Sequence, residues 1–382
     1  MINVNVKYGD TTTTIDFPCS SNTLEAKLME LHLDDMTKVD LFIEKVNNYD
    51  EFSFLEDNFV NLDELNFLAN RMDTLEEKEI KKFNAVIKEF NIRNMPELIN
   101  LTGNMHRYTL IQDLSNPEAI GKEHYLTRNM AISEDEMKSM DFAEIGKELI
   151  NSGTGRFTDY GMLFANSDIP EDRWYEGVPT PENLNGDKIA ELEIDTGNKK
   201  IYMWFPETEN TIKRMLNRIG ENTDLMGSRL EITGVEFDND KIKELIGNIL
   251  DDEGILEFNK AVNAINMMVR ESDLCKLSAV IEYAGVCDSS NIVNLCDYFD
   301  KFEYIPDAES YEDIAKYIID EADEYHIDVE LRDYFLDEQF GEDIMRDRGG
   351  QFVDDGAILM KDGYTLKNII DTPDEEQGMT MC

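Results

Sequence analysis

The chain has 382 residues, of which 36 are Lys or Arg and 82 are Asp or Glu, so its formal net charge is −46. A surface that binds nucleic acid or an anionic membrane needs clustered Lys and Arg, so this balance excludes both and indicates a basic partner. The 41% hydrophobic content, with 19 Phe and 15 Tyr, is enough for a packed core and excludes wholesale disorder.

The acidity covers the whole chain and is greatest towards the C-terminus. Residues 1–185 carry 17 bases and 35 acids, a net charge of −18, and the remainder carries 19 bases and 47 acids, a net charge of −28. The opening MINVNVKYGD has no signal-peptide pattern, and no apolar run approaches the length of a membrane span. We therefore expect a cytoplasmic protein.

The first segments predict a β-hairpin followed by a short helix and a strand. Alternating residues from Ile2 to Lys7 and from Thr12 to Phe17 flank the turn Tyr8-Gly9-Asp10. Pro18 then ends the second strand. The helix and the next strand are predicted from Leu24, Leu28 and Leu31, and from Val39 to Val46.

The same order of elements returns in the second half of the chain. Strands are predicted from Ala190 to Ile194 and from Lys200 to Phe205, and Phe205-Pro206 repeats Phe17-Pro18. The helical segments at Leu65 to Met72 and Ile80 to Ile87 are matched with Ile242 to Ile249 and Leu256 to Met268. Gly155 to Gly161 matches Gly350 to Gly356. We conclude that the chain is a tandem duplication.

Each copy is predicted to be α+β, because strands lie at both ends and helices in the middle. The three parts of the first copy are an αβ domain at 1–57, a helical domain at 58–113 and an αβ domain at 114–166. A Pro-containing linker at 167–188 follows. The second copy has an αβ domain at 189–240, a helical domain at 241–305, an acidic αβ domain at 306–366 and a tail at 367–382.

The stretch from Ile305 to Ile344 combines an apolar stripe with a dense carboxylate face. Tyr311, Ile314, Ala315, Ile318 and Ala322 recur at helical spacing, and Ser310 with Asp313 is a helix start signal. We expect nothing nearby to neutralise the acids, since Arg332 is the only base of the second segment. The candidate partner-binding residues are Asp307, Glu309, Glu312, Asp313, Asp320, Glu321, Asp323, Glu324, Asp328, Glu330, Asp333, Asp337, Glu338, Glu342 and Asp343.

Such a face could be an ordinary solvated helix surface, or it could imitate another polyanion. Carboxylates three or four positions apart on a helix are spaced about 4.5 to 6 Å along the axis. Duplex DNA presents a phosphate charge about every 3.4 Å per strand. These spacings are similar enough for the two surfaces to compete for one cationic groove.

The second copy, 189–366, resembles the ArdA family of antirestriction proteins. The resemblance rests on the strand ending in Phe205-Pro206, on Tyr311 to Tyr317, and on Tyr334 to Ile344 with its Gly341-Glu342-Asp343-Ile344 ending. It implies an elongated multi-domain α+β protein of mobile genetic elements. Proteins of this family mimic duplex DNA and occupy the DNA-binding groove of type I restriction-modification enzymes.

Three departures from the family pattern affect what the resemblance implies. The family is a single unit that pairs, so a tandem chain leaves a homodimer or an internal pseudo-dimer open. Glu342 stands where the family pattern has Arg, which removes a base. The first copy resembles the family more weakly, because Lys122, His124 and Arg128 interrupt the carboxylates between Pro117 and Met130. We therefore take the second copy as the first candidate for the mimic surface and leave open whether the first copy shares it.

There are three alternatives to a DNA mimic: an enzyme, a calcium-binding protein and an acidic adaptor. Against an enzyme, the four histidines are dispersed and form no HExxH or Cys/His pattern, so we expect no catalytic residues, no metal and no cofactor. Two segments could supply oxygen ligands for calcium, Asp238 to Asp240 and Asp251 to Gly254. Neither has the residue spacing of an EF-hand loop. An acidic adaptor or inhibitor that sequesters another basic DNA-binding protein or a defence nuclease differs from antirestriction only through the family resemblance.

Overall fold

The computed structural model describes residues 1–129, 133–166, 168–177, 187–225, 227–268, 271–322, 325, 327, 332, 335–361 and 363–370. The chain divides into two compact units, Met1–Pro179 and Thr180–Cys382. The protein is α+β, with small antiparallel sheets and helices in both units. None of the described helices combines the length and apolar character that a bilayer crossing requires.

The first sheet of unit 1 confirms the predicted hairpin. Its strand order is β2-β1-β3-β4, and Ile2 pairs with Phe17 across the hairpin. The Ser20 side chain caps α1 by accepting a hydrogen bond from the Thr23 amide. The elements are β1 (Ile2–Tyr8), β2 (Thr11–Phe17), α1 (Ser21–Glu30), β3 (Asp40–Val46) and β4 (Asn58–Asn61).

Three helices, α2 (Leu62–Asp73), α3 (Glu77–Phe90) and α4 (Met95–Gly103), follow this sheet. Their apolar faces join the inner face of the sheet in one continuous hydrophobic core. The predicted segments 1–57 and 58–113 therefore contribute to a shared core, and β4 pairs with β3 although it falls within the second segment.

The rest of unit 1 is a three-stranded sheet, in the order β5-β7-β6, covered by helices. Two of these helices, α5 and α7, cross at glycines: a Cβ on Gly146 would lie 1.7 Å from the Pro117 carbonyl oxygen. The elements are β5 (Tyr108–Ile111), α5 (Pro117–Arg128), α6 (Glu134–Ser139), α7 (Phe142–Ser152), β6 (Arg156–Thr158) and β7 (Gly161–Ala165).

Part of the predicted linker packs against unit 1. Asn100 exchanges two hydrogen bonds with the Tyr175 backbone, at 2.9 and 3.0 Å, and Asn104 exchanges two with the Asp172 backbone, at 2.9 and 2.7 Å. Trp174 packs edge-on against Phe67. Two asparagine side chains therefore attach this part of the predicted linker to unit 1.

Unit 2 begins with the same strand–strand–helix–strand order. Its sheet has the order β10-β8-β9, and the Phe205-Pro206 peptide is cis, as is Phe17-Pro18 in unit 1. The elements are β8 (Ala190–Asp195), β9 (Lys200–Phe205), α8 (Glu209–Ile219) and β10 (Arg229–Val235).

Four helices follow in unit 2, and one of them makes the same contacts with the segment after a cis Phe-Pro peptide as α2 makes in unit 1. Asn66 of α2 exchanges two hydrogen bonds with the Cys19 backbone, and Asn259 of α10 exchanges the same two with the Glu207 backbone. By these contacts α10 resembles α2, whereas the sequence match paired the α2 segment with that of α9, which follows β10 where β4 follows β3. The helices are α9 (Asp240–Glu253), α10 (Ile255–Asn266), α11 (Glu271–Ala284) and α12 (Ser289–Asp297).

Unit 2 ends in a three-stranded sheet with the order β11-β13-β12. Helices α13 and α14 pack on it, and Gly356 lies against the Ile305 carbonyl in the same way that Gly161 lies against that of Ile111 in unit 1. The elements are β11 (Phe302–Pro306), α13 (Tyr311–Lys316), α14 (Asp337–Asp347), β12 (Gln351–Val353) and β13 (Gly356–Met360).

Candidate acidic interface

A small core holds the acidic segment on the last sheet of unit 2. Ile314 and Ile318 from the first helical segment and Ile344 from α14 pack with Ile305 of β11 and Leu359 of β13. Because the apolar sides of both helices face this core, their polar sides face solvent.

Helix α13 begins where the sequence predicts, and the carboxylate of Asp313, one of the candidate residues, caps its first turn. The Ser310 side chain accepts a hydrogen bond from the Asp313 amide, and the Asp313 carboxylate accepts from the Ser310 hydroxyl and amide in return. The hydrogen bond from the Ser310 hydroxyl holds the pKa of Asp313 below its ordinary value. Asp313 therefore caps the helix start, and its role as a contact residue stays a prediction.

The predicted continuous α-helix from Tyr311 to Ala322 is corrected. After Lys316 the chain forms a π-helical turn, Tyr317–Glu321, in which the Ala322 amide donates to the Tyr317 carbonyl at 2.8 Å. Ile318 and Ile319 are both buried, while Tyr311 is 37% exposed. The turn thereby leaves the two consecutive acids Asp320 and Glu321 exposed.

Helix α14 crosses α13 at very short range, and the missing side chain of Gly341 permits this approach. A Cβ at Gly341 would lie only 1.8 Å from the Tyr311 carbonyl oxygen. Glu338, Glu342 and Asp343 lie on α14, and all three are exposed. The close crossing therefore places the exposed carboxylates of α14 on a helix that packs directly against α13.

Several candidate carboxylates have cationic partners, contrary to the expectation that nothing nearby neutralises them. Glu312 pairs with Lys316 at 3.0 Å, and Asp343 pairs with Arg346. Arg332 pairs with half-buried Asp337 and lies 3.8 Å from Asp320. The hydrogen bond with Glu312 raises the pKa of Lys316. These acids lie one helical turn from a base, or face a base brought in by the fold.

The remaining described candidates are exposed and form no ion pair with any described residue: Asp307, Glu309, Glu321, Glu338 and Glu342. We call these five residues, together with the exposed and paired Glu312, Asp320 and Asp343, the acidic surface. Five further predicted residues lie outside the described part of the chain: Asp323, Glu324, Asp328, Glu330 and Asp333.

Sequence reasoning missed three exposed carboxylates in the same helix and sheet region at the end of unit 2. Asp347 ends α14, and Asp354 and Asp355 form the turn between β12 and β13. Lys241 of α9 reaches this turn, at 3.0 Å from Asp354 and 3.7 Å from Asp355, and also pairs with Glu282 of α11. The turn dipeptide Asp-Asp before Gly356 was the available signal.

The corresponding helices of unit 1 carry a different charge pattern. Glu118 and Lys122 of α5 stand where α13 has Glu312 and Lys316, but exposed Lys147 of α7, one residue past Gly146, stands where α14 has Glu342 after Gly341. His124 packs edge-on against Phe164, and burial lowers its pKa. The dense carboxylate pattern is therefore particular to unit 2.

The described residues contain no group of three or more His, Cys, Asp or Glu side chains arranged to hold a metal ion. Lys241 instead pairs with carboxylates from two places in unit 2, Glu282 on α11 and the Asp354-Asp355 turn.

Comparison with known proteins found no protein-family model that matches the chain and no match among curated proteins.

Proposed function

We propose that this protein is a non-catalytic DNA mimic that inhibits type I restriction-modification enzymes. Its acidic surface would occupy the groove that these enzymes use for duplex DNA and so protect incoming mobile DNA. The proposal combines the resemblance to the ArdA family with one structural observation. Five exposed carboxylates that form no ion pair with a described residue lie on α14, on the π-helical turn after α13 and on the loop before α13, around the crossing of α13 and α14 at Gly341.

The rigidity of that scaffold supports mimicry over a merely solvated helix face. Buried Ile314, Ile318 and Ile344 attach both helices to the sheet, so the carboxylates have fixed backbone positions. A groove built for phosphates gains from a preorganised polyanion, because little further ordering of the ligand is needed on binding. Each carboxylate contributes little alone, and the set steers association and holds the complex.

We also propose that the chain is a tandem duplication of two ArdA-like units. Support comes from the matched strand orders, the two cis Phe-Pro peptides, and the equivalent side-chain contacts of Asn66 and Asn259. Gly146 and Gly341 occupy equivalent helix crossings. In this proposal the second unit contributes the mimic surface, and the first contributes the fold without the same acidity.

The decisive assay measures cleavage of unmodified DNA by purified type I restriction-modification enzymes as this protein is titrated. We expect inhibition that excess duplex DNA competes away and that weakens steeply with salt, because both partners release counterions when they meet. Polyglutamate at the same carboxylate concentration is the control for charge without shape. Equal inhibition by polyglutamate, absence of inhibition, or turnover of DNA or nucleotide by this protein alone would contradict the proposal.

A further inference from the structure

The strand β10 forms an edge of the first sheet of unit 2. Its order is β10-β8-β9, whereas in unit 1 the equivalent strand β3 lies between β1 and β4. Among the strands that the structure describes, none pairs with the outer edge of β10. That edge therefore offers backbone N–H and C=O groups to an additional strand.

Helix α9 follows β10 at the point where unit 1 has β4, and a groove separates the helix from the strand. The groove has a volume of about 580 Å³. Leu230, Ile232 and Val235 line it from the strand, and Glu244, Gly247 and Asp251 line it from the helix.

The apolar side chains of β10 are less well covered than those of its counterpart. In unit 1 the β3 residues Leu41, Ile43 and Val46 are all buried. In unit 2 Leu230, Ile232 and Val235 are only half-buried. Exposed apolar groups beside an open strand edge are the features that strand addition covers.

The helical wall of the groove is negatively charged. Glu244 and Asp251 are exposed and form no ion pair with any residue in the described ranges. Lys243, the base of this wall, is already paired with Asp238 at 3.3 Å and Asp240 at 3.6 Å. The wall is therefore suited to cationic side chains.

We propose that this groove binds an extended segment of a partner protein in which apolar residues alternate with Lys or Arg. The segment adds a strand to the β10 edge. Its apolar side chains cover Leu230 and Ile232, and its cations meet Glu244 and Asp251. Main-chain hydrogen bonds supply affinity and the alternation supplies specificity. This inference does not depend on the proposed antirestriction activity.

Charge repulsion opposes both occupants that this chain could itself provide. A second copy would bring a net charge of −46 to a wall that is already acidic. The C-terminal sequence DTPDEEQGMTMC, 371–382, carries acids and no base. The occupant that we propose is thus a basic segment of another protein.

The probe is a fluorescein-labelled peptide of alternating Lys and Val, eight residues long, titrated with the full chain and followed by anisotropy. Gly247→Phe projects a ring into open space, since nothing lies within 4 Å of a Cβ at this position, and it fills the groove. We expect at least about tenfold weaker binding for Gly247→Phe, and wild-type binding for the matched control Gly247→Ala.

A second pair of variants tests the charge without filling the groove. Asp251→Lys should weaken binding, whereas Asp252→Lys, an equal charge change on the same helix outside the groove lining, should weaken it less. A peptide with two central valines replaced by proline keeps the charge and lacks the strand amides, so it should bind weakly.

Equal binding by Gly247→Phe and wild type, or equal binding of the proline peptide, overturns the inference. So does a dimeric wild type that Gly247→Phe converts to monomer, because the groove would then be a self-interface. All these outcomes are read on the isolated protein, so they leave the restriction assay unaffected.

Discussion

At the scale of single residues, carboxylates of one type have two different roles in the acidic segment. Asp313 is bound to the Ser310 hydroxyl and amide, and Asp337 is bound to Arg332. Glu321, Glu338 and Glu342 are exposed without an ion pair to a described residue. The first group maintains the local structure, and the second is available to a cationic partner.

This division predicts which charge reversals abolish inhibition. The triple variant Glu321→Lys, Glu338→Lys and Glu342→Lys should lose inhibition of DNA cleavage by at least about tenfold, because three attractive charges become repulsive. The matched control reverses three exposed acids of unit 1, Glu118, Glu144 and Glu148, and should remain potent. If both triple variants inhibit alike, the contact surface has been assigned wrongly.

The cap at Ser310 predicts a specific dependence on pH. The folded-state pKa of Asp313 is lowered, chiefly by the Ser310 hydroxyl, so its contribution to stability is present above the ordinary carboxyl pKa and is lost as pH falls through the lowered value. Ser310→Ala should cost about 1 kcal/mol of unfolding free energy and raise the pKa of Asp313 towards its ordinary value. Carboxyl NMR titration measures the pKa, and an unchanged value would refute the capping role.

At the scale of elements, two glycines decide how closely the helices approach. Gly146 meets the Pro117 carbonyl and Gly341 meets the Tyr311 carbonyl, each at a distance that a Cβ cannot share. Both contacts involve backbone, which cannot move aside as a flexible side chain can. The spacing between α13 and α14, and with it the spacing of the acidic surface, therefore depends on Gly341.

Replacing Gly341 by Ala should separate the two helices and destabilise the protein by about 1–3 kcal/mol. Gly247→Ala, within α9, meets nothing within 4 Å and should be neutral or stabilising by up to about 1 kcal/mol. Urea denaturation of both variants measures the difference. Equal stabilities would show that the crossing has room for a methyl group.

At the scale of the whole molecule, self-repulsion is the main consequence of 82 acids against 36 bases. Local pairs such as Glu312 with Lys316 relieve only part of it, because exposed pairs are each worth about 1 kcal/mol or less. Screening by salt should relieve more of it, since the Debye length falls from about 30 Å at 0.01 M to about 10 Å at 0.1 M.

We therefore expect the melting temperature to rise between 10 and 100 mM NaCl by roughly 2–4 °C for each kcal/mol of repulsion removed. Betaine at the same osmolality is the control, because it changes solvation without shortening the Debye length. Calorimetry decides the matter, and a melting temperature that stays constant or falls with NaCl would exclude long-range repulsion as a major term.

The sequence alone determined the elements whose signal is local. Period-2 alternation located β1, β2, β8 and β9, and the Ser310–Asp313 pair located the start of α13. These predictions succeeded because strand alternation and helix capping depend on residues that are near one another in the chain.

Only the tertiary structure decided which charges are neutralised and which surfaces stay open. The pairing of Arg332 with Asp320, the π-helical turn after Lys316, and the replacement of β4 by α9 depend on how separate elements pack. One-dimensional periodicity contains no information about such packing, because it describes the faces of an element and not the neighbours that they meet. The same reason explains why the open edge of β10 was found only in the folded chain.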